Sequence, residues 1–286
     1  MADMTVIILT MNEEKNIANC INSVKKIAKR IVVVDSGSTD QTLSIAEKLG
    51  ADCYYHDFIN YANQFNWGLD NTDVQTTWVL RLDADEMLTE ELAEEMENAM
   101  LQHQEDDVNG MILKLKKSFL GRWLRHGGAY PFKKLMLFKN GIGRIEERNM
   151  DEHTVLNTGC SITLNNDALH NDFRDISYYI HKHNWYATRE VLDYIAQNMQ
   201  SSVDNLENGT LKARRKQKVV YYKLPKFFRA FMLFCYRYIF QLGFLDGKEG
   251  FIYHVLEDFW YRFLVDVKIF EYEKTGKIND KGGALK

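Results

Sequence analysis

The stretch WVLRLDADEML, Trp78–Leu88, opens as a buried strand and finishes on three crowded acids, Asp83, Asp85 and Glu86. Ligands of open α/β sheets collect beyond the carboxyl ends of the strands, so a carboxylate pair there stands where a bound cation would be useful. In the form Asp-x-Asp the two side chains lie close together but face differently, which lets both reach one ion, directly or through water. A hard divalent cation such as Mg2+ or Mn2+ prefers oxygen ligands and often completes its shell with substrate phosphates. Taken alone, an acidic tripeptide reads more simply as the cap of a following helix.

The flanking sequence supplies the sheet. TVIILT, RIVVVDSGS and WVLRLD read as strands. Glu14 to Ile27 sets Ile17, Ile21, Val24 and Ile27 at helical spacing, and STDQTLSIAEKLG offers Ser38 or Thr39 as a cap and Gly50 as a stop. These are β-α-β units. Beyond them TEELAEEMENAMLQ, from Thr89, reads as an acid-started helix, GMILKLKKSFL and KKLMLFKN as strands, and Ile176 to Met199 as a helix. No internal repeat is present. The expected division is an α/β domain over 1–200 and a helical region over 201–286.

The 286 residues are 45% apolar, enough for a substantial core in one or two domains. A net charge of −4 and a pI near 6.1 argue against a nucleic-acid partner for the chain as a whole. Cys20, Cys53, Cys160 and Cys235 form no CxxC pair and no disulfide framework, which points to a reducing cytoplasm. MTVIILTMNEE carries no secretory signal, and its apolar run is too short to span a bilayer.

Two more strand ends are polar in a matching way: TMNEE after the first strand and VVDSGSTD after the second. Asp35 is suited to accept the imide N–H of a uracil, and Thr10, Asn12 and Glu13 to meet base and ribose. Each segment alone reads as ordinary turn chemistry; with the acidic end they outline one nucleotide pocket. Neither GxxxxGK[ST] nor GxGxxG occurs, so the usual phosphate loops for ATP and NAD are absent.

VIILTMNEEKNIANCINSV, IVVVDSGSTDQTLSIAEKLGA, YANQFNWGL and WVLRLDADE, in that order and spacing, resemble the N-terminal half of a family 2 glycosyltransferase, closely over roughly residues 4 to 100. RNMDEHTVLNTG, LHNDF, YIHKHNWYATRE and GFLDGKEGF resemble a branch that builds bacterial surface polysaccharides and lipopolysaccharide cores. The resemblance implies a GT-A (Rossmann-like) mixed sheet flanked by helices, a UDP-sugar donor, a Mg2+ or Mn2+ ion on the Asp-x-Asp pair, and inversion at the anomeric carbon. By position it implies nucleoside contacts from Thr10, Asn12, Glu13, Asp35 and Asp83, a metal ligand at Asp85, and donor contacts from Asn66 and Arg81.

Displacement of UDP by a sugar hydroxyl needs a carboxylate beside the attacking oxygen and positive charge beside the leaving diphosphate. MDEH offers Asp151 and Glu152, of which Glu152 is favoured as the base; a solvated acidic turn is the plain alternative. His170 is a candidate to complete the metal shell or bond the diphosphate, or else a structural hydrogen-bonder. Lys182, His183 and Tyr186 lie one helical turn apart, on a face toward diphosphate or acceptor or on a solvated one. In FLGRWLRHGGAYPF, Arg122, Trp123, Arg125 and His126 are candidates for an acceptor loop, Trp123 being equally suited to core packing. Gly127 and Gly128 suggest that this loop moves.

From Gly209 to Leu245 the chain has no acid, while Arg214, Arg215, Lys216, Lys218 and further cations alternate with Tyr, Phe, Leu and Met. This suits a helix lying on an anionic membrane, with Phe227 and Phe228 entering the interface, so the expectation is a cytoplasmic enzyme peripheral on the inner face of the cell membrane, acting on a saccharide or glycolipid acceptor. Packing against the catalytic domain or against a second subunit is the alternative. Two other functional classes remain: a sugar nucleotidyltransferase, which would carry a Gly- and Arg-rich N-terminal loop that TMNEEKN lacks, and a non-catalytic carbohydrate- or membrane-binding module.

Overall fold

Apolar side chains alternate along Val6, Ile7 and Ile8, and in the computed structural model, which describes residues 2–146, 152–199 and 220–278, they enter two different cores. The strand is β1 (Met4–Thr10). Its neighbours are β2 (Arg30–Asp35) and β4 (Trp78–Asp83), both parallel to it, with β3 (Asp52–Tyr55) outside β2. Val6 and Ile8 pack under α1 (Ile17–Val24), whose Ile17, Cys20, Ile21 and Val24 form one buried stripe, and under α4 (Glu90–Gln102). Ile7 packs with Val32, Val34 and Val79 against α3 (Tyr61–Asn71) through Ala62 and Phe65. Buried on both faces, these strands read as near-continuous apolar runs.

Beyond β4 the pairings are mixed, three antiparallel and one parallel along the strand order. The strand order is β3-β2-β1-β4-β8-β6-β11-β5, with β5 (Glu86–Leu88), β6 (Val108–Phe119), β8 (Phe132–Lys139) and β11 (Cys160–His170), and β7 (Arg122–Trp123) pairs with β6. Two short strands, β9 (Gly143–Ile145) and β10 (Thr154–Leu156), form a separate ribbon. This is the mixed, helix-flanked sheet expected, with a helical C-terminal part. Local chemistry sets the helix starts: Thr89 Oγ1 accepts from Leu92 N at 3.2 Å and Asn60 Oδ1 from Asn63 N at 2.7 Å. The helix expected over 14–27 is shorter, since Glu13 to Asn16 form a turn first. α2 (Thr42–Lys48) is preceded by Asp40, whose Oδ1 accepts from Thr42 N; Ser38 and Thr39 are bonded elsewhere and do not cap it.

The domain boundary expected at 200/201 lies outside the described residues. The chain divides into two compact units, the first drawn from Met1–Arg125 and Ala129–Asp175, the second from His126–Gly128 and Ile176–Ala284. In the second unit α5 (Ile176–Met199), α6 (Phe228–Cys235), α7 (Gly247–His254) and α8 (Arg262–Thr275) appear, with π-helical turns at Tyr236–Phe240 and Val255–Tyr261. Ala187 and Val191 of α5 meet Tyr261, Val265 and Ile269 in its core.

Asp3 ties the start of β1 to the approach of β4. It accepts from Thr77 N at 2.8 Å and Thr77 Oγ1 at 2.7 Å and pairs with Lys29 at 2.9 Å; the Thr77 hydroxyl first, then Lys29, lower its pKa from 3.8 to about 2. A lowered folded-state pKa means that this stabilisation is complete above the ordinary value and is lost as pH falls through the folded one. Asp3→Asn is therefore expected to flatten the pH dependence of stability between 3.8 and about 2, measured by urea melts at stepped pH.

Candidate functional site

Register aligns the strand ends. Thr10 stands opposite Asp35 and Leu9 opposite Asp83, so the polar residues that follow β1, β2 and β4 emerge on one edge. There the first two loops are stitched together. Thr10 Oγ1 donates to Asp35 Oδ1 at 2.8 Å, Asn12 N to Ser38 Oγ at 2.8 Å, Thr39 N to Asn12 Oδ1 at 2.8 Å, and Glu13 N to Thr42 Oγ1 at 2.7 Å. Asn12 adopts φ +55°, a conformation that Asn tolerates better than most residues. Asp35 is buried and also accepts from Ser38 Oγ at 2.5 Å, Gly37 N at 2.8 Å and Ser38 N at 2.7 Å. Four donors fill its roughly four acceptor sites. Asp35 thereby shapes its own loop.

The acidic pair separates into two roles. Asp83 accepts from Lys134 Nζ at 2.9 Å and from the Tyr61 hydroxyl, while its N–H donates to Glu86 Oε2 at 3.0 Å. The same ammonium reaches Glu86 Oε1 at 2.8 Å. Arg81, buried, lies 4.3 Å from the centre of the Tyr61 ring and donates to its hydroxyl at 2.9 Å. Burial pushes the Asp83 carboxyl up, but Lys134 and Arg81 more than offset this and hold it well below the carboxylate range. For Glu86, burial and the Asp83 charge win, and its pKa rises. Asp83 and Asp85 were expected to reach one cation, directly or through water; in this structure the Lys134 ammonium lies against Asp83.

Asp85 has different company. Its Oδ2 lies 3.3 Å from His170 Nε2 and 3.9 Å from an Arg174 nitrogen, and its carbonyl accepts from Asn171 N at 2.9 Å. Pairing of β11 with β5, His170 opposite Glu86, brings the imidazole there. The Arg174 guanidinium also donates to Glu13 Oε1 at 2.7 Å and to both oxygens of Asp172 at 2.7 Å. Asn16 bonds Glu13 at 2.8 Å and the Phe173 N–H at 3.1 Å. Lys134, Tyr61 and Arg174 were not singled out from the sequence.

Among the described residues no cluster of three or more His, Cys, Asp and Glu side chains forms a ready metal cage. What is present is a carboxylate and an imidazole together, followed in the chain by Asn171, whose buried side-chain oxygen has no hydrogen-bond partner among the described residues. Mixed oxygen and nitrogen donors, few in number, fit a Mg2+ or Mn2+ ion that draws its other ligands from phosphate and water.

Other expected residues sit elsewhere. Asn66 donates to Ile145 O at 2.8 Å and accepts from Ile145 N at 3.1 Å, so its amide holds β9. Asp151 lies outside the described residues; Glu152, half-buried, leads into His153 and β10. Trp123 has the Arg125 guanidinium 4.2 Å and the Lys116 ammonium 4.7 Å from its ring centre, with Tyr130 edge-on at 5.3 Å. Lys182 and Tyr186 belong to α5 in the second unit, Lys182 Nζ 5.8 Å from the Tyr186 ring centre. His183 is buried between Tyr179 O, at 2.8 Å, and Glu257, at 3.1 Å, and so offers no solvated face.

Gly127 and Gly128 are not hinges here. Gly127 N donates to Gln241 O at 2.9 Å, and a Cβ on Gly127 would lie 2.1 Å from the His254 ring, one on Gly128 2.7 Å from the Gln241 side chain. Close packing and positive φ require glycine at both. His126 is fixed as well, its N and Nδ1 on Asp246 at 2.9 and 2.8 Å. Arg214, Arg215, Lys216 and Lys218 lie outside the described residues, while Phe227 and Phe228 are exposed.

A family model described as "Glycosyl transferase family 2" matches residues 5–173. An uncharacterized glycosyltransferase of Rickettsia conorii is 29% identical over 283 residues, 96% of this chain and 92% of that protein. The lipopolysaccharide core biosynthesis glycosyltransferase LpsC of Rhizobium meliloti is 26% identical over 148 residues, 50% of this chain and 53% of that one. Among solved structures, glucosyl-3-phosphoglycerate synthase from Mycobacterium tuberculosis, in complex with Mn2+, UDP and glucosyl-3-phosphoglycerate, aligns at 20% identity with a TM-score of 0.33, over 40% of this chain and 44% of that one.

Removing one partner of a buried charge cluster leaves the others uncompensated. Lys134→Met is expected to destabilise the fold by about 3–5 kcal/mol, and adding Glu86→Gln to recover part of that loss, as read by chemical denaturation.

Proposed function

The chain belongs to glycosyl transferase family 2, and we propose that it is an inverting, metal-dependent enzyme that moves a sugar from a UDP-sugar to a hydroxyl of a saccharide acceptor. The observation that carries this reading is the meeting of Asp85 with His170 on the sheet edge where the Thr10, Asp35 and Asp83 strands end. Asp85 and His170 would hold the divalent ion, with the Asn171 oxygen nearby in the chain. Such an ion, when bound, neutralises charge that grows on the departing diphosphate.

The chain's own groups do the rest. The stitched loops after β1 and β2 offer a fixed surface for the nucleoside, positioned before the substrate arrives. The acceptor oxygen attacks the anomeric carbon from the face opposite the diphosphate, and its proton passes to the Glu152 carboxylate. As the new carbon–oxygen bond forms, the bond to the β-phosphate oxygen breaks and its electron pair leaves with UDP. A base so placed contributes about 10²- to 10⁴-fold in rate. The similarity to LpsC supports an acceptor of the lipopolysaccharide core or a related lipid-linked surface saccharide. Exposed, unpaired Cys160 fits a reducing, cytoplasmic setting.

Purified protein offered a panel of UDP-sugars with Mn2+ or Mg2+ should bind one of them and hydrolyse it slowly; indifference to all of them would defeat the proposal. Asp85→Ala is expected to abolish the metal-dependent part of UDP binding in calorimetry while the protein stays folded. Glu152→Gln should bind donor normally and lose about 10²-fold or more in kcat. If Asp151→Asn shows that pattern instead, the neighbouring acid is the base.

A further inference from the structure

Thirteen consecutive residues, α6 and the π-helical turn after it, form a helix whose polarity is inverted. Phe228, Phe231, Met232, Tyr236, Ile239 and Phe240 recur at three- and four-residue spacing along one stripe, and all are exposed, Phe240 at 75%. Cations of the same segment pair inward with acids. Arg229 is 2% exposed and donates through Nε to Asp266 Oδ1 at 2.8 Å, and Arg237 pairs with buried Asp258. Lys226, just before the helix, pairs with Glu273.

The long helix that supplies those acids buries Tyr261, Val265 and Ile269 alongside them and still exposes apolar side chains. Asp258 and Asp266 point inward, while Phe263, Val267 and Phe270 are exposed. A surface helix in water shows the reverse, apolar stripe inward and charges outward. Burying the Arg229–Asp266 pair costs desolvation, and an exposed aromatic stripe recovers nothing from water. The arrangement becomes favourable when the outward medium is apolar.

We propose that this stripe is a docking face for a lipid bilayer interface, held chiefly by aromatic insertion and not by the basic residues of the described chain. At 1.5 Å per residue the helix is about 20 Å long, too short to span a bilayer, so it lies in the interface. Among the described residues no helix is long and apolar enough to cross a membrane. The sequence adds charge complementarity, since no acid occurs from Gly209 to Leu245 to repel anionic headgroups. The inference goes beyond the transfer reaction and does not depend on it.

The full-length protein is mixed with sedimentable vesicles of phosphatidylcholine alone, and of phosphatidylcholine with phosphatidylglycerol, at low and high salt. Sedimentation with both compositions is expected, with most binding to the neutral vesicles surviving high salt. Phe231→Ser combined with Phe240→Ser should lower the partition coefficient about tenfold or more on both, with an unchanged circular dichroism spectrum. Three results would overturn the proposal: wild type left in the supernatant with both vesicles, a double variant that binds as well as wild type, or a wild-type dimer in analytical ultracentrifugation that the variant converts to monomer. The last would assign the stripe to a second copy of the chain.

Discussion

Lys134 donates to Asp83 and Glu86 together, and this shared ammonium decides how the acidic end of β4 is used. Two buried carboxylates so close together would otherwise force one to hold a proton. With Lys134 and Arg81 beside it, Asp83 stays ionised and fixed, and the turn that follows carries Asp85 to a different set of partners. One carboxylate is thereby spent on rigidity, and the other faces an imidazole. The same division runs around the edge: Asp35 and Asn12 hold loops, and Arg174 gathers Glu13 and Asp172.

Such an edge is costly unless its groups are satisfied by one another. Much of its hydrogen bonding joins residues far apart in sequence, and Arg174 to Glu13 spans 161 positions. The loops after β1 and β2 therefore take their shape from the finished sheet, and little ordering remains to be done there.

That distance also explains what the sequence could and could not tell. Strands β1, β2 and β4 were legible as short, near-continuous apolar runs, and helix α1 because its apolar residues repeat at helical spacing. Lys134 was not, because β8 carries an irregularity at Met136, where its pairing with β6 shifts between Met111 and Ile112; parity along the strand is broken there, so alternation cannot say which way a lysine at 134 points. Arg174 sits in a loop with no period at all. The glycines of RHGGAY were read as freedom, whereas His254, over a hundred residues later, makes them a requirement of space. Likewise three cations of the acid-free run, Lys226, Arg229 and Arg237, are paired with Glu273, Asp266 and Asp258, which come later in the chain and which the run itself does not show.

The loop His126–Gly128 has one more consequence. It is inserted among the strands of the first unit, yet it is packed on Gln241, Asp246 and His254 of the second. Among the described residues the polypeptide therefore passes between the units after Arg125, after Gly128 and after Asp175. The helical part is not an interchangeable module. A truncation at Asp175, or a recombination that swapped in another C-terminal segment there, would leave three residues shaped for a ring and a carboxylate no longer present.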